Sequence, residues 1–163
     1  MFNIYLILRN NKMKTLTRKQ ILSLSIEEAW SFFSNPANLS RITPQEMNFR
    51  IMNPDLPPAI YAGLIIRYTV KPMWNIPLTW ITEISQVREP WYFVDEQLSG
   101  PFKVWHHQHI FRKAGNKTEM EDIVNYQAPL GPVGRLAEWL TVDNRVVKIF
   151  DHREALLRRL FPS

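Results

Sequence analysis

Residues 93–111 read FVDEQLSGPFKVWHHQHIF, two alternating segments on either side of Ser99-Gly100-Pro101. Alternation interrupted by a Gly-Pro pair predicts two antiparallel strands joined by a short turn. In a strand, side chains two residues apart share a face. One face therefore carries Phe93, Asp95 and Gln97 on the first strand and Trp105, His107, His109 and Phe111 on the second. Aromatic and ionisable groups mixed on one face suit a polar site within an apolar hollow better than a plain core. His106 has the opposite parity and is expected to point outward.

C-terminal to this hairpin, Ala114-Gly115-Asn116-Lys117 reads as a turn and Thr118 to Tyr126 alternates again. Thr118, Met120, Asp122, Val124 and Tyr126 are the less charged set and are expected to face inward. A lone inward carboxylate is costly, so Asp122 needs a partner such as His or Arg, a water or a ligand. Pro129-Leu130-Gly131-Pro132 forms a stiff linker into a helix from Val133 to about Phe161, in which Leu136, Leu140, Val147, Phe150 and Leu157 keep register. Such a helix spans on the order of 40 Å, enough to cross a sheet. Arg158 and Arg159 near its end suit the helix dipole, and His152, beside Asp151 and Arg153, reads as part of a solvated face.

N-terminal to the hairpin, Pro77 to Val87 places Leu78, Trp80, Thr82 and Ile84 on one face, after a turn at Pro72 to Pro77. Leu64 to Val70 is another strand, with Leu64, Ile66, Tyr68 and Val70 inward and Arg67 outward. Asn48 to Met52 is a short strand candidate, and the segment after it, Asn53 to Pro58, is too proline-rich for a sheet interior. Thr15 to Leu24 is the first strand. Ser25 with Glu28 is a capping-box pattern, opening a helix that buries Ile26, Ala29, Trp30 and Phe33. Pro36 to Arg41 is a second short helical turn.

At 163 residues and 45% hydrophobic, the chain suits one domain with a full-sized core. The net charge of +5 permits acidic partners, but the basic residues form no stripe with interleaved aromatics, so no nucleic-acid binding is expected. Cysteine is absent, which removes disulfides, thiolate metal sites and a Cys nucleophile and fits a cytoplasmic protein. The opening MFNIYLIL is far too short for a membrane span, and Arg9 and Lys12 follow it, where a signal peptide carries its basic residues first. Met13 begins a second plausible start, so residues 1–12 are read as an N-terminal extension and 13–163 as a single domain. The competing reading of residues 1–12 is an added edge strand that pairs with another chain.

The order of elements, strand, two short helices, antiparallel strands and one long closing helix, resembles the α+β helix-grip fold of the START and Bet v 1-like superfamily. Within it the chain is similar to the bacterial SRPBCC group of ligand-binding and cyclase/dehydrase-like domains. The resemblance rests on SIEEAWSFFSNPANLSRITP at 25–44, the 93–111 hairpin, and APLGPVGRLAEWL at 128–140. It implies a curved antiparallel sheet of about seven strands around the C-terminal helix, with a cavity between them. It does not imply one activity, because the superfamily hosts carriers, receptors and cyclases on one architecture.

Parity and resemblance together place Asp95, Gln97, His107, His109 and Asp122 toward that cavity, with Tyr68, Trp80, Phe93, Trp105, Phe111, Met120 and Tyr126 as apolar walls. In one reading the polar groups only satisfy each other. In another they orient a small hydrophobic or amphipathic ligand of lipid, polyketide or aromatic type. In a third, His107 or His109 backed by Asp95 or Asp122 acts as a general base in a cyclase, dehydratase or isomerase. A His-x-His pair with a carboxylate also has zinc-ligand character, but sequence spacing does not show that a third ligand reaches it, so no metal and no cofactor is assigned. The expectation is a ligand-binding domain, monomeric or weakly dimeric. An interaction module docking through the basic helix end or the N-terminal apolar run is the remaining alternative.

Overall fold

A computed structural model describes residues 13–71, 77–127 and 137–162, with side chains of the last segment described from Val142 onward. The expected extension at residues 1–12, the turn at 72–76, the linker and the first residues of the closing helix lie outside these residues, as do the side chains of Leu136 and Leu140.

The chain forms β1 (Lys14–Leu22), α1 (Ile26–Phe33), two 3-10 turns (Pro36–Arg41 and Gln45–Met47), then β2 (Arg50–Ile51), β3 (Leu64–Val70), β4 (Leu78–Arg88), β5 (Tyr92–Ser99), β6 (Val104–Ala114) and β7 (Lys117–Gln127). The helix α2 (Ala137–Leu160) closes it. All seven strands belong to one sheet in the order β1-β7-β6-β5-β4-β3-β2, and every neighbouring pair is antiparallel. This is the helix-grip α+β architecture, an open curved sheet with a C-terminal helix and short helices after the first strand.

Local chemistry explains the elements. Ser25 accepts the Glu28 backbone N–H through its hydroxyl while the Glu28 carboxylate accepts the Ser25 N–H at 2.9 Å, so the capping box forms as its residues predict. The helix buries Ile26, Ala29, Trp30 and Phe33, the expected stripe. Asn35 then caps the Pro36–Arg41 turn by accepting from the Ala37 N–H. Gly115, with φ of +67°, occupies the two-residue turn between Ala114 and Lys117, where a left-handed backbone favours glycine.

Two expectations are corrected by the structure, and β4 carries a bulge beyond the residues whose face was expected. The Asn48 to Met52 strand shrinks to Arg50–Ile51, because Asn48 itself is left-handed at the end of a 3-10 turn. On β4, parity holds through Trp80, Thr82 and Ile84 and then shifts at a bulge, since Ile84 pairs with Asp95 but Gln86 pairs with Val94. On α2 the buried positions are Val146, Phe150, Arg153 and Leu157, whereas Val147 is only half-buried. Arg153, expected on a solvated face, belongs to the interior, while His152 beside it is exposed as expected.

Two apolar clusters fill the space on one side of the sheet. The larger joins α1 to the inner faces of the sheet through Trp30, Phe33, Ile66, Trp80, Phe93 and Phe111. The smaller packs Val124 and Tyr126 of β7 against Val146 and Phe150 of α2. Ion pairs hold α2 along β1, Lys14 with Asp143 and Arg18 with Asp151, and the Tyr126 hydroxyl donates to Asp143 at 3.0 Å. Burial and the neighbouring Asp143 carboxylate raise the Tyr126 hydroxyl to about 12, so it remains a donor at neutral pH.

Candidate functional site

Strand register, more than parity, builds the polar centre. Asp95 lies opposite His107, and His109 opposite both Phe93 and Asp122, so the four polar residues occupy two adjacent cross-strand rows on β5, β6 and β7. Tyr68 opposite Trp80, Thr82 opposite Gln97, Trp105 opposite Tyr126 and Phe111 opposite Met120 form further rows of the sheet. Directly opposed residues project to the same side of a sheet. All twelve site residues read from the sequence therefore share one face, the face covered by α1 and α2.

The four polar side chains close on each other. His107 Nε2–H donates to Asp122 Oδ1 at 3.0 Å and His109 Nε2–H to Asp95 Oδ2 at 3.0 Å. His107 Nδ1 lies 3.3 Å from Asp95 Oδ2, and His109 Nδ1 lies 2.8 Å from Asp122 Oδ1 without the alignment of a hydrogen bond. The two imidazoles are 3.8 Å apart, centre to centre. Phe93 stacks on His109 at 4.1 Å, and Trp105 and Phe150 meet His107 edge-on at 6.1 and 5.4 Å.

Charges compensate within this centre. Burial alone would raise the Asp122 carboxyl, but the Arg153 charge and the hydrogen bonds from His107 and His109 hold it well below the usual carboxylate range. Asp95 is likewise opposed by burial and held low by His107 and His109. For His107, burial disfavours the proton, and the two carboxylates outweigh it and raise the group. An ionised carboxylate can only accept, so the two carboxylates beside its ring nitrogens favour the protonated form of His107. The Arg153 charge and the histidine N–H donors offset the two carboxylates. Taking such ions out of water costs several kcal/mol each, which explains why so many partners converge on so small a volume.

Arg153 is the charged residue of this centre that sequence reading missed. It is 8% exposed, with its guanidinium carbon 5.6 Å from the Phe33 ring centre and 6.0 Å from that of Phe150. Its spacing to Val146, Phe150 and Leu157 is the signal that could have found it, since it continues the buried helical stripe.

The remaining site residues divide by role. Gln97 uses its amide on the turn, donating to the Phe102 carbonyl at 2.6 Å and accepting the Phe102 N–H at 3.2 Å. Tyr68 and Thr82 share a buried hydroxyl hydrogen bond of 3.0 Å, and burial followed by the Asp95 charge raises the Tyr68 hydroxyl. Phe111 and Met120 are fully buried and pack as core. Trp80 sits among Tyr68, Phe102 and Trp105 with ring centres at 5.7, 5.5 and 5.2 Å, and its indole N–H is buried with no acceptor. On the opposite face His106 Nδ1 pairs with Glu96 at 2.9 Å, and Glu121 is buried under Arg112 and Lys19.

Comparison with known proteins places the architecture. No protein-family model matches the chain, and no curated protein sequence is significantly similar to it. Solved structures are similar in fold. A START superfamily protein from Mycobacterium smegmatis has a TM-score of 0.68 at 13% identity, over 92% of this chain and 97% of that one. A major latex-like protein from Panax ginseng has a TM-score of 0.64 at 10% identity, over 93% and 99%. The Zhui aromatase/cyclase from Streptomyces has a TM-score of 0.64 at 12% identity, over 93% and 98%. The fold is that of the START and Bet v 1-like proteins. Among the described residues no helix is long and apolar enough to cross a membrane.

Proposed function

We propose that the chain binds a small amphipathic molecule on the helix-covered face of its sheet, with an acceptor group of that molecule against Trp80. The observation that carries this reading is the Trp80 indole N–H, buried within an aromatic enclosure and lacking an acceptor. A buried donor left unmade costs about 1–3 kcal/mol, and a ligand carbonyl, hydroxyl or carboxylate would recover it. Tyr68, Phe102 and Trp105 supply flat apolar surface around that donor, as in pockets that combine an apolar lining with a few placed polar groups. Neighbours in fold that include a START superfamily protein and an aromatase/cyclase are consistent with a hydrophobic ligand.

Base catalysis by the histidines is the less favoured alternative. A general base needs a ring nitrogen free to take a proton. All four ring nitrogens of His107 and His109 lie within 3.3 Å of a carboxylate oxygen.

Native mass spectrometry of the purified full chain is expected to show a retained lipid or aromatic molecule. In fluorescence displacement with a medium-chain fatty acid and a hydroxylated polycyclic aromatic, Trp80→Phe should weaken binding by about 10-fold, near 1.4 kcal/mol. Absence of both a retained molecule and any displaceable binding overturns the reading.

A further inference from the structure

We propose that Asp95, His107 and His109 form a binding site for a zinc-type divalent cation, with Asp122 orienting both imidazoles from behind. The three residues each offer one donor atom, and these atoms all lie within 4.8 Å of one another. Asp95 Oδ2 is 3.3 Å from His107 Nδ1 and 3.0 Å from His109 Nε2. Ligand atoms about 2.0–2.1 Å from a tetrahedral zinc stand about 3.3 Å apart, close to the two distances from Asp95 to the ring nitrogens. Two imidazoles and one carboxylate are a donor set that zinc takes in open sites, with a fourth position left for water or a ligand oxygen.

The arrangement behind the donors argues most strongly. With His107 bound through Nδ1 and His109 through Nε2, the other nitrogen of each ring lies near the same Asp122 oxygen, hydrogen-bonded at 3.0 Å for His107 and out of line at 2.8 Å for His109. Metal-bound imidazoles ordinarily donate their second N–H to such a carboxylate, which fixes tautomer and ring angle. His109 Nδ1, buried 2.8 Å from Asp122 Oδ1 but out of line with it, needs a small rotation of the ring to donate there. Phe93 against one ring and Trp105 and Phe150 against the other restrict rotation and exclude water. The other described histidines have no such setting, since His106 faces the opposite side of the sheet with Glu96 and His152 is exposed. Sequence parity assigned no metal because it pairs the histidines without bringing a carboxylate within reach. The register of β5 on β6 supplies that reach. The site stands on these contacts alone and does not require the ligand reading.

The full chain, stripped with a chelator and titrated with zinc(II) by calorimetry, should take up one equivalent. In a long-range proton–nitrogen correlation spectrum of the unmodified chain, the rings of His107 and His109 should shift with zinc while His106 and His152 stay. Asp95→Asn should abolish this uptake, and Asp122→Asn should weaken it by about 10–100-fold. Rings of His107 and His109 that do not respond to zinc overturn the proposal, as does wild-type affinity in folded Asp95→Asn protein. The spectrum decides the matter on the native chain even where a variant fails to fold.

Discussion

His107 donates through Nε2 to Asp122 Oδ1 at 3.0 Å, from one strand to the next and between residues that are not directly opposed. The contact is diagonal, which lets His107 hold Asp95 with its other nitrogen while His109 occupies the position opposite Asp122. A carboxylate in this place also lies in the field of the buried Arg153 cation, so its removal leaves an interior positive charge under-compensated and the histidine donors without their acceptor. Asp122→Ala is expected to lower stability by about 3–5 kcal/mol, the range for breaking a buried ion pair from one side. Arg153→Met should cost less, because it keeps apolar contact with Phe33 and Phe150 and the histidines still serve Asp122. Urea unfolding of both variants tests the order, and a loss below 1 kcal/mol for Asp122→Ala would contradict the assignment of charges.

Stability of the chelator-treated protein should be bell-shaped in pH. Asp95 and Asp122 are lowered from 3.8, so their contribution is present above that value and is lost as pH falls through their lower folded values. His107 is raised from 6.5, so its contribution is complete below that value and is lost as pH rises through its higher folded value. The maximum is therefore expected between about pH 4 and 6.5. Urea midpoints across pH measure it, and a profile still rising above pH 7 would show that His107 is not stabilised as an imidazolium.

Gly100 should resist substitution although it is exposed. A Cβ there would stand 2.5 Å from Gln97 Oε1. Gly100→Ala therefore displaces the amide that clasps the Phe102 backbone, at a cost of about 1–2 kcal/mol. Hydrogen exchange at the Phe102 N–H should accelerate in the variant, whereas unchanged protection would mean that the turn holds without Gln97.

Ser25→Ala removes the acceptor for the Glu28 N–H and with it half of the capping box. The expected loss is about 1 kcal/mol, read as a lower thermal midpoint. Because α1 places Trp30 against Phe93 and Phe111, at 6.0 and 6.1 Å, the near-ultraviolet signal of the aromatic cluster should weaken at lower temperature in the variant. Identical melting curves would show that packing alone holds α1.

Local pattern carried the order of elements. Ser25 and Glu28 mark a helix start by their own hydrogen-bonding capacity, and the alternation in Leu64–Val70 and Thr118–Tyr126 marks strands with one inward face, because the side-chain period of a strand is a property of the backbone. The same period placed Asp95, His107, His109 and Asp122 on a common face. Parity cannot count residues across a turn or register a bulge, so it could not say that His107 lies opposite Asp95 or that β4 shifts after Ile84.

The sequence by itself therefore determined which residues could meet, and the tertiary structure decided which ones do. Asp122 needed a partner on any reading, since an unpaired interior charge is too costly to keep. That both histidines lie beside it, within the field of an arginine from α2, follows from where β6, β7 and the helix pack, bringing together residues distant in the chain. The same packing engages the Gln97 amide at the β5–β6 turn and leaves the Trp80 N–H without an acceptor, because hydrogen bonding depends on distance and direction in space, to which neighbours in sequence contribute little.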